Sequence, residues 1–150
     1  MAVQCDIVTQ EKTVFSGQVD SVSLPGAEGR MGILPNHSPL LTTLAFGEVV
    51  VRTGGQEEYF AIGGGFAEIQ PDKIVVLADS AERADEIDLE RAERAREQAE
   101  KYMSEGVPED PERYAQIRAS LQRAQIRIDV ARRRRRRPTL STLSGMEEEQ

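Results

Sequence analysis

From Val3 to about Ser80 the apolar positions come in short runs punctuated by glycine and proline. Val3, Cys5 and Ile7 alternate with polar neighbours, and the run Val19 to Leu24 ends at Pro25-Gly26. Val49-Val50-Val51 stops before Gly54-Gly55, Tyr59 to Ile62 stops at the triple glycine of residues 63–65, and Ile74 to Leu77 closes the series. Runs of this length, with turn residues between them, predict an all-β sandwich or barrel. No helix-length period interrupts them, which argues against a parallel βαβ sheet.

After Ser80 the period becomes helical. Leu89, Ala92, Ala95, Ala99 and Tyr102 step by three or four residues and predict one narrow seam. Gly106 and Pro108 stop that helix; Asp110, followed by Pro111 and Glu112, starts another with a cap residue, a first-position proline and an acid in the first turn. Tyr114, Ile117, Leu121, Ala124, Ile128 and Ala131 form its stripe. Two such stripes and a short loop predict an antiparallel helical hairpin. The fold class is therefore α+β by segregated parts. An antiparallel β-sandwich spans residues 1–82, a two-helix hairpin residues 83–137, and a disordered tail residues 138–150. The hairpin seam is mostly alanine, and a buried methyl contributes far less than a buried leucine. A hairpin that opens and one that stays closed both fit the sequence.

Composition sharpens the division. Among 150 residues 30% are charged and 39% hydrophobic, so part of the chain is thinly cored. The first 80 residues hold 4 bases against 10 acids, while the remainder holds 15 against 16, far denser in charge. Cys5 is the only cysteine, which excludes an intrachain disulfide and fits a reducing compartment. The start of the chain reads as lacking a signal peptide, and no apolar run reaches the ~18–20 residues of a membrane span. Direct membrane insertion is not expected.

The candidate chemistry is sparse. His37, the only histidine, has no acid or nucleophile beside it in sequence and reads as a packing or interface residue. The triple glycine lacks the Lys-Ser/Thr of a phosphate loop and continues as Phe-Ala-Glu-Ile, so a bulge or close backbone approach explains it. No nucleophile–base pair and no metal cluster stand out, so neither catalytic nor metal-ligating residues are expected. Asp88 and Arg91, three apart on the first helix, read either as a surface pair or, with Arg123 and Arg127 of the second, as an anion grip. The run Arg132, Arg133, Arg134, Arg135, Arg136 and Arg137 exceeds what a helix C-terminus calls for. Net −7 and the lack of interleaved aromatics point it toward an acidic protein surface rather than nucleic acid.

Several segments in order resemble one family. They are Asp6 to Gly17, Val19 to Gly26, Gly29 to Leu41, Ala61 to Ile69 and Ile87 to Ala92. Over residues 2–131 the chain resembles the epsilon subunits of bacterial F-type ATP synthases. The resemblance implies a non-catalytic central-stalk subunit that helps couple proton flow to ATP synthesis. Its sandwich would contact the gamma subunit and the c-ring, with Met31, Leu34 and His37 on the contact surface. Its basic second helix, extended, would meet acidic segments of the alpha and beta subunits and block ATP hydrolysis, and residues 132–137 are expected to strengthen that contact.

The resemblance also implies a regulatory ATP site. Ile87, Asp88, Arg91 and Ala92 match the family's first-helix motif, and Glu82, Arg123 and Arg127 match the remaining contacts. No cofactor is required, and the implied location is peripheral, on the cytoplasmic face of the inner membrane. The proline-rich loop of residues 106–111 and the arginine run depart from the usual family pattern. The competing reading is a free-standing module for anionic ligands.

Overall fold

A computed structural model describes residues 1–106 and 109–136, the side chains of Arg135 and Arg136 excepted. The expected tail, Pro108 and Arg137 lie outside the described residues.

Eight strands come first: β1 (Val3–Val8), β2 (Thr13–Val19), β3 (Ser21–Gly26), β4 (Gly29–Ile33), β5 (Leu40–Thr53), β6 (Gln56–Ile69), β7 (Lys73–Ala78) and β8 (Ala81–Arg83). They join in the order β2-β1-β7-β6-β5-β3-β4, with β8 also on β6. The long hairpin β5–β6 belongs to both layers of the sandwich. Its open end, where Leu40 faces Ile69, runs beside β7. Its turn end, where Thr53 faces Gln56, lies between β3 and β8. The predicted sandwich is present, with one difference. β1 pairs with β7 in parallel, because the chain returns to β1 from the far end of the sheet rather than by a hairpin.

Nor does β6 stop at the triple glycine. The strand runs on through it, and Gly64 and Gly65 adopt φ of +90° and +118° where the hairpin passes from one layer to the other. A Cβ on Gly65 would overlap the Leu77 carbonyl oxygen of the neighbouring strand. Glycine is required there by both backbone angle and space.

Inward positions follow the pleat. Val3, Cys5 and Ile7 of β1 meet Leu24, Val49, Val51, Phe60, Ile62 and Ile74 in one core. Phe15 of β2 packs edge-on to Phe60 of β6, with ring centroids 5.7 Å apart.

A 3-10 turn (Ala84–Glu86) leads to α1 (Leu89–Ser104), and α2 (Pro111–Arg136) follows. Asp110 caps α2, its carboxylate accepting from the Glu112 N–H at 3.0 Å, as the sequence anticipates. The α1 seam is rotated from expectation. Ala92 and Ala99 are buried with Arg96 and Met103 half-buried beside them, whereas Ala95 and Tyr102 are exposed. Arg96 takes the seam position because its aliphatic stem can lie on the neighbouring helix while its head reaches Glu100 at 3.9 Å. Toward the loop the helices diverge, leaving a groove of about 730 Å³ that Ala95, Tyr102 and Ile117 help to line.

The hairpin lies against the sandwich. Ile126, Val130 and Ala131 of α2 join Val50, Tyr59 and Ala61 of β5 and β6 in a second, smaller apolar cluster with Ala84, Ile87 and Leu89. This explains why Tyr59 to Ile62 is buried at every position: alternate residues face the core and the helix.

Candidate functional site at the junction of helix and sandwich

The predicted anion-binding residues fall on three elements around the start of the hairpin. Arg127 of α2 donates from Nε to Oε2 of Glu82 at 2.7 Å and from Nη2 to Oε1 at 3.3 Å. Arg123, one helical turn earlier, lines with Glu82 and Arg127 a recess floored by Ala61 and Gly63. Its volume is about 40 Å³, room for a water molecule and far below that of a small-molecule pocket.

The other predicted residues are placed differently. Asp88 is the N-cap of α1, its carboxylate accepting from the backbone N–H of Arg91 at 3.1 Å. Among the described residues the two side chains form no ion pair, because a cap carboxylate turns toward its own helix end. Ile87 is buried in the second apolar cluster and Ala92 in the hairpin seam. Arg91 is exposed, and neither it nor Arg123 forms an ion pair among the described residues. Glu82, Arg123 and Arg127 are thus gathered, whereas Ile87, Asp88 and Ala92 have structural partners.

The arginine run begins inside α2 and turns back onto the protein. Arg132 donates to Glu93 of α1 at 3.0 Å. Arg133 approaches Glu48 of β5 at 3.8 Å, and the Arg134 guanidinium lies 5.8 Å from the Tyr59 ring centroid. These acidic and aromatic partners were not foreseen from the sequence. The available signal was parity, since Glu48 shares the outward face of β5 with Val50, a residue that needs a cover.

On the sandwich, Leu34 and His37 are exposed in the loop after β4, while Met31 packs partly against the core opposite Leu24. His37 Nδ1 donates to the Ser38 carbonyl at 2.7 Å, and the Asn36 N–H binds the Pro71 carbonyl at 2.8 Å, tying this loop to the β6–β7 turn. A neighbouring apolar strip escaped the sequence reading. Phe66 of β6 pairs directly across from Leu77 of β7 and diagonally from Leu41 of β5, and the three are 51%, 49% and 70% exposed. Among the described residues no group of His, Cys, Asp and Glu is arranged to hold a metal ion.

Comparison with known proteins agrees with this architecture. Residues 2–84 match the family of the ATP synthase delta/epsilon chain β-sandwich domain, and residues 85–132 that of the delta/epsilon chain long α-helix domain. The ATP synthase epsilon chain of Dehalococcoides mccartyi is 49% identical over 137 residues, covering 91% of this chain and 96% of that one. That of Herpetosiphon aurantiacus is also 49% identical, covering 91% and 99%. Among solved structures, a chain of the Euglena gracilis mitochondrial ATP synthase superposes with a TM-score of 0.70 at 23% identity, covering 83% of this chain and 78% of that one. A chain of the Tetrahymena thermophila central stalk and c-ring gives 0.62 at 9% identity, covering 87% and 97%. These two likenesses concern the fold. A sandwich and a helical pair, each matched in order and together spanning residues 2–132, show that the chain belongs to the ATP synthase delta/epsilon chain family.

Proposed function

We propose that the chain is a non-catalytic rotor subunit of a proton-driven ATP synthase, whose sandwich docks on the stalk and whose hairpin restrains ATP hydrolysis. Catalysis in this reading belongs to other chains. The strip Leu41, Phe66 and Leu77, with Leu34 and His37 nearby, supplies an apolar surface for the gamma subunit and the c-ring. The chain would then sit at the cytoplasmic face of the inner membrane as a peripheral subunit. Among the described residues no helix is long and apolar enough to cross a membrane.

The observation that carries the restraint is the seam beneath α2. Ile126, Val130 and Ala131 meet the sandwich through a small apolar cluster, edged by the partly exposed ion pairs Arg127–Glu82 and Arg132–Glu93. Such a seam contributes little, so α2 can leave it at small cost. An extended α2 would carry residues 132–137 to acidic segments of the alpha and beta subunits. Deleting residues 132–150 should therefore raise ATP hydrolysis by the assembled motor, and an unchanged rate would refute the brake.

ATP is read as a regulatory ligand of the docked form. Arg91 and Arg123 are the arginines available to its phosphates, and Arg127 joins them only by leaving Glu82. Titrating ATP into the isolated chain should give saturable binding; none up to millimolar nucleotide would end this reading.

A further inference from the structure

Glu48 is the only charged residue among the buried described ones. It is 6% exposed, and among the described residues its Oε2 has no hydrogen-bond partner. It lies opposite Ala61 of β6 and two positions from Val50, on the face that α2 covers. Arg133 stands over it, with Nη2 3.8 Å from that oxygen and Nε bonded to the Asp129 carbonyl at 3.3 Å. A separation of 3.8 Å is too long for a hydrogen bond, so attraction between charges alone offsets the water Glu48 has lost. The neighbouring arginines are engaged elsewhere: Arg127 with Glu82, Arg132 with Glu93, and Arg134 over Tyr59.

We infer that Glu48 and Arg133 form a release device for the hairpin. The docked state persists while Arg133 neutralises Glu48. An acidic protein surface that captures Arg133 leaves a buried, unpaired carboxylate, which lifts α2 from the sandwich and regains water by doing so. A buried ion pair adds little net stability, yet losing one partner is strongly destabilising. The two residues therefore have opposite signs: Glu48 favours release and Arg133 opposes it. An ordinary salt bridge would give both the same sign. The capture step rests on the proposed use of the arginine run toward acidic segments, whereas the opposite signs do not.

The test uses the full chain carrying Ala61→Cys. Ala61 is 5% exposed beneath α2, so a thiol reagent reaches position 61 when the hairpin lifts. Cys5 is fully buried and its thiol is pushed up to about 12, so it stays silent while the sandwich is folded. Arg133→Ala should speed labelling about tenfold, a figure kept low because Arg133 is half-exposed. Arg133→Lys should stay slow, Glu48→Met should label no faster than the parent, and the double variant should return to the parent rate. Poly-L-glutamate at low salt should speed labelling of the parent but not of Glu48→Met. Labelling of Glu48→Met as fast as Arg133→Ala, or of Arg133→Ala at the parent rate, overturns the device. If Arg133→Ala also exposes Cys5, the sandwich has opened, and Glu48→Met decides: slow labelling supports the device and fast labelling overturns it. A parent indifferent to poly-L-glutamate overturns the capture step, whatever deletion of residues 132–150 does to the motor.

Discussion

Arg127 of α2 holds Glu82 of β8 through two nitrogens, at 2.7 and 3.3 Å, and so fastens the hairpin to the last strand of the sandwich. The side chains are 20% and 31% exposed, which sets the pair between a surface contact and a buried one. A double-mutant cycle with Arg127→Ala and Glu82→Ala should give a coupling of about 1–2 kcal/mol. Urea unfolding followed by the helical signal measures it. Arg127→Lys should recover only part, since a point charge cannot reproduce the two-pronged geometry. A coupling near zero would mean that the apolar cluster alone holds the helix.

The passage of β5–β6 between layers rests on Gly65. Gly65→Ala combines a φ of +118° with overlap of the Leu77 carbonyl, a backbone atom that cannot swing aside. A loss of about 3 kcal/mol or more is expected in denaturant unfolding. Gly54→Ala, at φ +58° in the β5–β6 turn with open space around it, should cost about 1 kcal/mol. Equal costs at the two sites would show that strain alone, without the contact, fixes Gly65.

The sandwich and the hairpin were legible because their signals are local: alternation in Val3, Cys5 and Ile7, and the Asp110-Pro111 helix start. The parallel β1–β7 pair was not, since register between residues 69 positions apart leaves no local mark. The α1 seam was misread because Arg96 counts as polar although its stem packs. Docking of α2 was readable in principle. Unbroken apolar runs at Val49 to Val51 and Tyr59 to Ile62 require covers on both faces, and Ile126 and Val130 lie outside the stripe that faces α1. Of the predicted site, the structure brings Glu82, Arg123 and Arg127 to one recess, while the Asp88 carboxylate caps its own helix, a local role that the Asp-x-x-Arg spacing also allows.

That cap gives a separate test. Asp88→Ala should remove about 1 kcal/mol of helix stability, and Asp88→Asn should restore most of it, because asparagine caps nearly as well. Thermal unfolding of the isolated chain reads the difference. If Asp88 also touches nucleotide, Asp88→Asn should change ATP affinity while leaving the unfolding midpoint close to the parent's.

Cys5 predicts an alkaline weakness. Burial, and to a lesser degree the Asp6 charge beside it, push its thiol from an ordinary 9.0 to about 12. The folded state holds the proton more tightly than the unfolded chain does. Its contribution is complete below about pH 9 and is lost as the pH climbs toward 12. Cys5→Ala should therefore lower stability at pH 7 through lost packing, yet flatten the decline of stability between pH 9 and 11. Denaturant unfolding across that range checks it; parallel curves for the two proteins would remove Cys5 as the cause.

Phe66 and Phe60 lie on one strand and test opposite things. Phe60 is fully buried at the centre of the sandwich core, so Phe60→Ser should cost several kcal/mol, about 3–5 for the comparable loss to alanine. Phe66 is half-exposed between Leu77 and Leu41, with little to lose in the isolated chain. Phe66→Ser should leave unfolding within about 0.5 kcal/mol of the parent. In the assembled motor an aromatic at the centre of an apolar strip is the expected anchor, and its removal should weaken association with the gamma subunit by about 2 kcal/mol. Co-purification of the variant with gamma measures that loss. Undiminished association would move the docking surface off this strip and toward the loop of Leu34 and His37, exposed groups on the segment that Asn36 ties to the β6–β7 turn.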